Sequence, residues 1–334
     1  MLLLRCFLRS VHFPSAAKTL KPILFSLLLL FALPQLCAQP QKVLTGIHLM
    51  NLYNLNMDEH SFYADFYIWF KWKGRIDPTK IEFVNLIEKW SMNQAGFDGD
   101  STPVKLKDGT NYKIYRIEGR FFHSFSLNRY PLDEHALDIQ VENPDYPIDS
   151  LVYLPDTNAA AIRKSLNMVG WDMKGCKLVS SMQDYGTNFG NTQENARSYS
   201  NLTFTATLSR PFSYFLLKML LPLFVVMLVS IGALLLHPSY IDTRSSLPIG
   251  GLLTAVFLQQ MYGDTLPDTG YMVLMDKIYL LCYALISLVM LQIIVAGNEL
   301  MKHISDREIV QQEKRLAMLY FAIFVMGVVV MVLF

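Results

Sequence analysis

The sequence predicts a membrane protein with an N-terminal antiparallel β-sandwich domain outside the membrane, followed by a transmembrane domain of four helices. Two observations predict this fold class. Apolar and polar residues alternate along segments of residues 39–210, which is typical of strands with one buried face. Long apolar runs without charged residues fill the last third of the chain, and each could cross a hydrocarbon core of roughly 30 Å.

Composition narrows the function classes. The chain has 334 residues, enough for two domains, and its formal net charge of +1 gives no indication of a nucleic-acid partner. The hydrophobic fraction, 52%, is high for a soluble protein. GxSxG, HExxH, Walker and CxxC motifs are absent, and the histidines lack the spacing of metal ligands. We therefore predict no enzyme activity, no catalytic residues, no cofactor and no metal site.

The N-terminus, residues 1–38, predicts a signal peptide. Arg5, Arg9, Lys18 and Lys21 precede the apolar run ILFSLLLLFAL, which leads into QLCA. This order of basic, apolar and small residues favours export of the chain and cleavage after Ala38. An uncleaved N-terminal anchor is the alternative.

Residues 39–210 predict the sandwich. In SFYADFYIWFKW every second residue from Phe62 to Trp72 is apolar, and NLTFTATLS repeats the pattern over residues 201–209. Turn-rich pieces such as KDGTN and ENPDYPIDS separate the strands, and no helical crossover pattern lies between them. Cys176 lies in this domain and Cys282 in a predicted span, so we expect no disulfide within the mature chain.

Residues 211–334 predict a pore domain of four helices, approximately 211–237, 243–264, 270–297 and 315–334. A buried helix of a soluble core could explain any one apolar run, but three such runs in one third of the chain favour membrane spans. The connection 298–315 is rich in Lys and Arg, whereas the loop around Leu266-Pro267 contains neither. The positive-inside rule puts that connection in the cytoplasm, and the N-terminal domain and the C-terminus on the other side.

The second of these helices is unusually polar. On a helix with 100° per residue, one stripe lies within about 40° of Ser246. It comprises Asp242, Ser246, Gly250, Leu253, Phe257, Gln260 and Asp264. Such a stripe is costly against lipid, and Pro248 and two glycines are tolerated where water or protein satisfies the backbone. We predict that it lines a pore, which requires a ring of subunits. A helix buried in a bundle is the alternative.

Five fragments in order resemble the pentameric ligand-gated ion channels, the Cys-loop receptor superfamily, and specifically its prokaryotic members. These fragments are FVNLIEKW, NRYPLDEHALDIQ, GWD at 170–172, RPFSYFLLKMLLP and LPDTGYMVLMDK. The second is similar to the Phe-Pro-Phe-Asp signature, with Leu132 in place of the second aromatic residue. His123 and Leu137 stand where the two cysteines of the family loop would be, which excludes that disulfide.

The resemblance implies roles for several residues. Asp133 would pair with Arg210, where the sandwich meets the first span. Tyr130 and Pro131 would press on the loop at Leu266 and Pro267, and the loop around Asp58 would press from the other side. Leu253 falls on the family's mid-pore leucine, where hydrophobic constrictions gate by dewetting, and Phe257 would narrow the pore further.

Asp242 is the predicted cation filter. It lies within the pore arc, whereas Arg244 lies about 200° away around the helix. The resemblance agrees, because Asp242 occupies the place of an acid in bacterial cation channels. A kink near Pro248 that turns Arg244 inward is the alternative.

The resemblance also implies an agonist site between neighbouring sandwiches. The candidates are Tyr146, Asp145, Tyr185, Phe189 and Tyr199. Aromatic rings with acids nearby, including Asp184, suit a cation. Ordinary interface packing is the alternative for each of these residues.

These observations predict a homopentameric, cation-selective channel, gated by a ligand or by pH, in which agonist binding between the outer domains opens the pore. The prokaryotic resemblance implies a multi-pass protein of a bacterial inner membrane, with the N-terminal domain and the C-terminus in the periplasm. The expected partners are further copies of the chain, membrane lipid, monovalent cations, and an unidentified small agonist or protons.

Two further classes stay open. One is a membrane-tethered periplasmic binding or sensor protein that conducts no ions, and the other, more remote, is an enzyme acting on envelope components. The sequence also leaves open whether the Asp-Glu-His triplets at 58–60 and 133–135 are solvated loop charge or sense pH or cations.

Overall fold

A computed structural model describes residues 39–88, 93–96, 102–190, 197–301 and 306–333. The predicted signal peptide, residues 1–38, lies outside the described residues.

Ten strands make up the N-terminal part of the described chain. They are β1 (Gln41–Asn56), β2 (Ser61–Trp72), β3 (Glu82–Phe83), β4 (Asn93–Gly96), β5 (Val104–Lys105), β6 (Asn111–Phe122), β7 (Glu134–Glu142), β8 (Leu151–Ile162), β9 (Asp172–Asp184) and β10 (Ser198–Ser209). One sheet has the order β4-β6-β2-β1-β8, with β5 also beside β6, and the other has the order β3-β7-β10-β9.

The apolar alternation packs these sheets against each other. Phe62, Phe66 and Phe70 of β2 are buried in one cluster with Leu202 and Phe204 of β10. Full burial of each such side chain contributes roughly 1.5–3 kcal/mol. The predicted sandwich is therefore confirmed, and its core lies between the two faces that the alternation marks as apolar.

One pairing differs from the prediction of an antiparallel sandwich. β1 and β8 run parallel, with Val43 opposite Tyr153, so the first sheet is mixed. The other pairings among the described strands are antiparallel. Alternation determines which face of a strand is buried, but it does not determine which strand lies beside it or in which direction.

Four helices follow the sandwich. They are α1 (Phe212–Leu235), α2 (Ile241–Gly263), α3 (Leu274–Met301) and α4 (Asp306–Leu333). α1, α3 and α4 are long and apolar enough to cross a membrane. The polar residues of α2 exclude it from this group.

Three helix boundaries differ from the predicted ones by four residues or more, and one of them is the end of α3, at Met301 rather than near residue 297. α3 begins at Leu274 rather than near residue 270, and the Asp276 carboxylate accepts a hydrogen bond from the Val273 amide at 3.0 Å, which caps this end. α4 begins at Asp306 rather than near residue 315. Its first turns contain Glu, Gln, Lys and Arg, which favour a helix without being apolar, so the hydropathy pattern missed them.

Candidate functional site

The second helix, α2, has a buried face and an exposed face. All seven stripe residues, from Asp242 to Asp264, are exposed in the single chain, including Leu253 at 56% and Phe257 at 61%. The buried residues are Arg244, Pro248, Gly251, Ala255 and Tyr262. At 100° per residue these lie about 140–200° from Ser246, on the opposite side. The stripe is therefore left uncovered by the helices of its own chain.

Close packing against α1 holds this orientation of α2. A Cβ atom added to Gly251 would lie 2.1 Å from Ser230 Oγ of α1, whereas one added to Gly250 would meet nothing within 4 Å. Beside the Ser230 hydroxyl, glycine is the residue that leaves space for α1 at position 251. Pro248 also lies on the buried face, so protein neighbours rather than pore water surround it.

Arg244 is turned away from the exposed stripe. Its side chain is fully buried and donates a hydrogen bond to Glu313 of α4, which is also fully buried. Its Nε atom donates to the Ala233 carbonyl at 3.2 Å. The inward rotation that Pro248 could have caused is absent, and Asp242 is the exposed charge in the first turn of α2.

The sandwich meets the helices around a buried carboxylate. Arg210 Nε donates to Asp133 Oδ1 at 2.8 Å, and His135 Nε2 lies 2.7 Å from Asp133 Oδ2. The Arg210 guanidinium lies 4.3 Å from the Trp171 ring centroid and 4.9 Å from that of Tyr130. Charge pairing and the two ring faces together compensate for the burial of this cation.

The loop between β6 and β7, which contains Tyr130 and Asp133, makes further contacts with the helical domain. The Tyr130 hydroxyl lies 3.4 Å from Thr265 Oγ1, beside Leu266, and the Tyr130-Pro131 peptide is cis. The Leu274 amide at the start of α3 donates to the Asn128 carbonyl at 3.1 Å. Leu266, Tyr130 and Met57 pack into one apolar cluster with the helices. Asp58 is exposed, and its predicted role, like that of Pro267, stays a prediction.

The two Asp-Glu-His triplets have different environments. Residues 58–60 are exposed, as solvated loop charge would be. In the second triplet Asp133 and His135 are each only 2% exposed, so the interpretation as solvated loop charge is wrong there. Burial, and then the neighbouring His135, lower the pKa of His123 to about 4. A sequence triplet alone gave no signal of this difference, because burial depends on the packing of Phe125 and Trp171 around the imidazole of His135.

The aromatic candidates of the agonist site gather around a cavity of about 350 Å³. Tyr185 lies 5.5 Å from Phe189 and 6.1 Å from Tyr199 between ring centroids. The Tyr185 hydroxyl donates to Glu142 at 2.9 Å, and burial followed by this hydrogen bond raises the pKa of Tyr185 to about 12. Glu82 also lines the cavity, opposite Glu142 in the β3–β7 pair.

Three other candidates lie elsewhere. Tyr146 packs against the sandwich core, Asp145 pairs with Lys80 at 3.6 Å, and Asp184 is exposed and accepts from the Gly186 amide. The acids beside the aromatic rings are therefore Glu82 and Glu142, which sequence reasoning missed. No periodicity indicates them, because β3 has only two residues and its register with β7 is a tertiary property.

Several known channels and receptors are similar to this chain. A proton-gated ion channel of Gloeobacter violaceus is 21% identical over 271 residues, which cover 75% of this chain and 71% of that protein. The chicken gamma-aminobutyric acid receptor subunit beta-4 and the human subunit gamma-3 are each 23% identical. The aligned regions cover 55% of this chain, but only 36% and 38% of those subunits. No protein-family model matches the chain.

Similarity to the bacterial channel and to the receptor subunits agrees with the sandwich, the apolar spans and their order along the chain. The chain belongs to the pentameric ligand-gated ion channel superfamily. This membership confirms the family resemblance and the prediction that the chain is not an enzyme. Of the two residues that the resemblance puts at the Cys-loop positions, Leu137 is buried in the core and His123 packs edge-on against Phe125. The two cysteines of the described residues, Cys176 and Cys282, are both free.

Proposed function

We propose that this chain is one subunit of a homopentameric, gated cation channel in a bacterial inner membrane. The observation that carries the proposal is the exposed stripe of α2, which runs along the face opposite the buried one. Asp242, Ser246 and Asp264 would be costly against lipid, whereas a ring of five copies would enclose them around water.

Charge at one end of the stripe supports cation selectivity. Asp242 is exposed in the first turn of α2, and Arg244 is buried. Five copies would arrange five carboxylates in a ring, which attracts cations and repels anions. The basic residues of segment 298–315, which includes the end of α3 and the start of α4, favour a cytoplasmic location for this end, so the sandwich and the C-terminus would face the periplasm.

The proposed stimulus acts on the acid-lined aromatic cavity. Glu82 and Glu142 stand opposite each other across a strand pair, and like charges in this arrangement repel. A small organic cation would relieve that repulsion and contact the rings of Tyr185 and Tyr199. A proton is the stimulus named for the bacterial relative, so acid is the second stimulus that we propose.

Recording in planar bilayers tests conduction and selectivity together. Under a NaCl gradient the purified protein should reverse near the sodium potential, and Asp242→Ala should move the reversal potential toward zero. Asp268→Ala, in the exposed loop after α2, is the control and should behave like wild type. Reversal of wild type near the chloride potential would contradict cation selectivity.

Mass measurement tests assembly. Native mass spectrometry of the protein in detergent should give five copies of the chain. Protein that reaches the membrane but conducts no current, with either amines or acid applied to the sandwich side, would favour the membrane-tethered sensor instead.

A further inference from the structure

A buried ion pair joins three helices beside the end of α2 that carries Asp242. Arg244 and Glu313 are both fully buried, and the guanidinium donates to the carboxylate. The same guanidinium donates to the carbonyl of Ala233 in the last turn of α1. The end of α1, the start of α2 and the first half of α4 therefore meet at one cation.

Arg244 depends on Glu313 for its charge compensation. Nη1 of Arg244 and Oε2 of Glu313 have no hydrogen-bond partner among the described residues, so the pair is not bidentate. Glu313 is the charged partner that the described part of the chain provides for this guanidinium. A buried cation without its anion is strongly unfavourable, and a long arginine side chain can extend to water when it is released.

Arg244 lies in the same turn of α2 as the residue that we place at the pore mouth. Asp242 lies two residues earlier in the same turn and is exposed. The two side chains point about 200° apart around α2. Selectivity at this mouth therefore depends on which of the two charges faces the pore.

We propose that Glu313 is a positioning residue for ion selectivity, which holds Arg244 inside the subunit so that Asp242 sets the charge of the pore mouth. This inference rests on the proposed channel function. Loss of the Glu313 carboxylate frees Arg244 to turn toward the mouth, where each subunit then contributes a positive charge beside Asp242. A residue on the membrane-spanning helix α4, away from the pore stripe, thus maintains the preference of the channel for cations.

Reversal potentials under a NaCl gradient test this role. Glu313→Gln keeps the size of the side chain and removes its charge, and it should shift the reversal potential from near the sodium potential toward zero or beyond. Glu308→Gln, at an exposed position of the same helix, is the matched control and should reverse like wild type. The double variant Arg244→Gln/Glu313→Gln removes both charges and should restore reversal near the sodium potential.

The rescue separates positioning from simple stabilisation. A structural role alone would lower the current or the yield of assembled protein without moving the reversal potential. If wild type is cation-selective and Glu313→Gln has the same reversal potential, the inference is overturned and the proposed function is left intact. If wild type is anion-selective, the proposed function itself is overturned. If Glu313→Gln alone does not assemble, mixed assemblies with wild-type subunits should show a reversal potential that shifts in proportion to the share of variant subunits. Mixed assemblies with the same reversal potential as wild type would equally overturn the inference.

Discussion

At the scale of single residues, Leu253 and Phe257 stand out as the large apolar side chains of an exposed stripe that is otherwise small or polar. They follow each other by one turn of α2, and both are more than half exposed in the single chain. In a ring of copies they would form a narrow apolar section, which excludes water more readily than the polar sections on either side.

Leu253→Thr should therefore favour the conducting state. A hydroxyl at the constriction would stabilise water there, so we expect leak current without a stimulus, or activation at a lower stimulus strength. Leu252→Thr is the matched control, because it makes the same chemical change at a position about 100° away from Leu253 around the helix. Equal activation curves for wild type and Leu253→Thr, at equal surface expression, would contradict the gate.

His123 gives the sandwich a dependence on pH. Its pKa in the folded chain is about 4, below the usual value of 6.5, because it is buried and lies near His135. The unfolded chain therefore binds this proton at a higher pH than the folded chain does. The contribution of His123 to stability is complete above about pH 6.5 and is lost as pH falls from there to about 4.

His123→Gln should reduce this loss. After allowance for partial solvent screening, we expect wild type to lose on the order of 1–2 kcal/mol more than His123→Gln over that pH range. Thermal unfolding of the purified proteins at a series of pH values measures the difference. His60→Gln, at an exposed position, should lose stability as wild type does. The same pH dependence in His123→Gln and wild type would refute this assignment.

At the scale of elements, the orientation of α2 depends on adjacent glycines that have different surroundings. Gly251 faces Ser230 of α1 with no space for a Cβ atom, whereas Gly250 faces open space in the single chain. Gly251 therefore allows this face of α2 to lie close to α1, and the polar stripe is on the other side of the helix.

Gly251→Ala should separate α1 from α2 and destabilise the protein by about 1–3 kcal/mol. Gly250→Ala is the matched control, and it should be neutral or stabilise by up to about 1 kcal/mol, since alanine favours a helix over glycine. Thermal unfolding in detergent measures both. Ser230→Ala removes the hydroxyl that a new Cβ would meet, so the double variant Ser230→Ala/Gly251→Ala should recover most of the loss. Equal stabilities of Gly250→Ala and Gly251→Ala would contradict this packing.

At the scale of the whole molecule, the sandwich and the helices are joined by a few polar contacts around an apolar cluster. Asp133 precedes β7, and Arg210 is the residue between β10 and Pro211, where α1 is about to begin. Their ion pair therefore links the start of β7 to the start of α1, and a movement of the sandwich would reach the helices through this link. Arg129 adds a contact to the end of α4 by donating to the Val332 carbonyl at 2.9 Å.

Removing one partner of the Asp133–Arg210 pair should cost about 3–5 kcal/mol of stability, because it leaves an uncompensated buried charge. Asp133→Asn and Arg210→Gln should each lower the unfolding temperature, and the double variant should lose much less than the sum of both. Asp58→Asn, at an exposed position of the neighbouring loop, is the control. Additive losses would show that the two side chains are not coupled, and the pair would then lose its role in joining the domains.

The sequence by itself determined the features that depend on local order along the chain. Alternation in β2 and β10 marked the buried faces, apolar runs marked three spans, and the angular positions of Asp242, Leu253 and Asp264 marked one stripe of α2. Each of these follows from the fixed period of a strand or a helix, so a single segment contains the whole signal.

Only the tertiary structure decided the contacts between distant segments. Arg244 and Glu313 are separated by 69 residues, and Tyr185 reaches Glu142 across 43 residues. The parallel pairing of β1 with β8 and the opposition of Glu82 and Glu142 likewise depend on strand order and register. No period in the sequence relates such residues, because what brings them together is the packing of whole sheets and helices, in which burial of apolar faces selects the arrangement and the polar groups must then find partners.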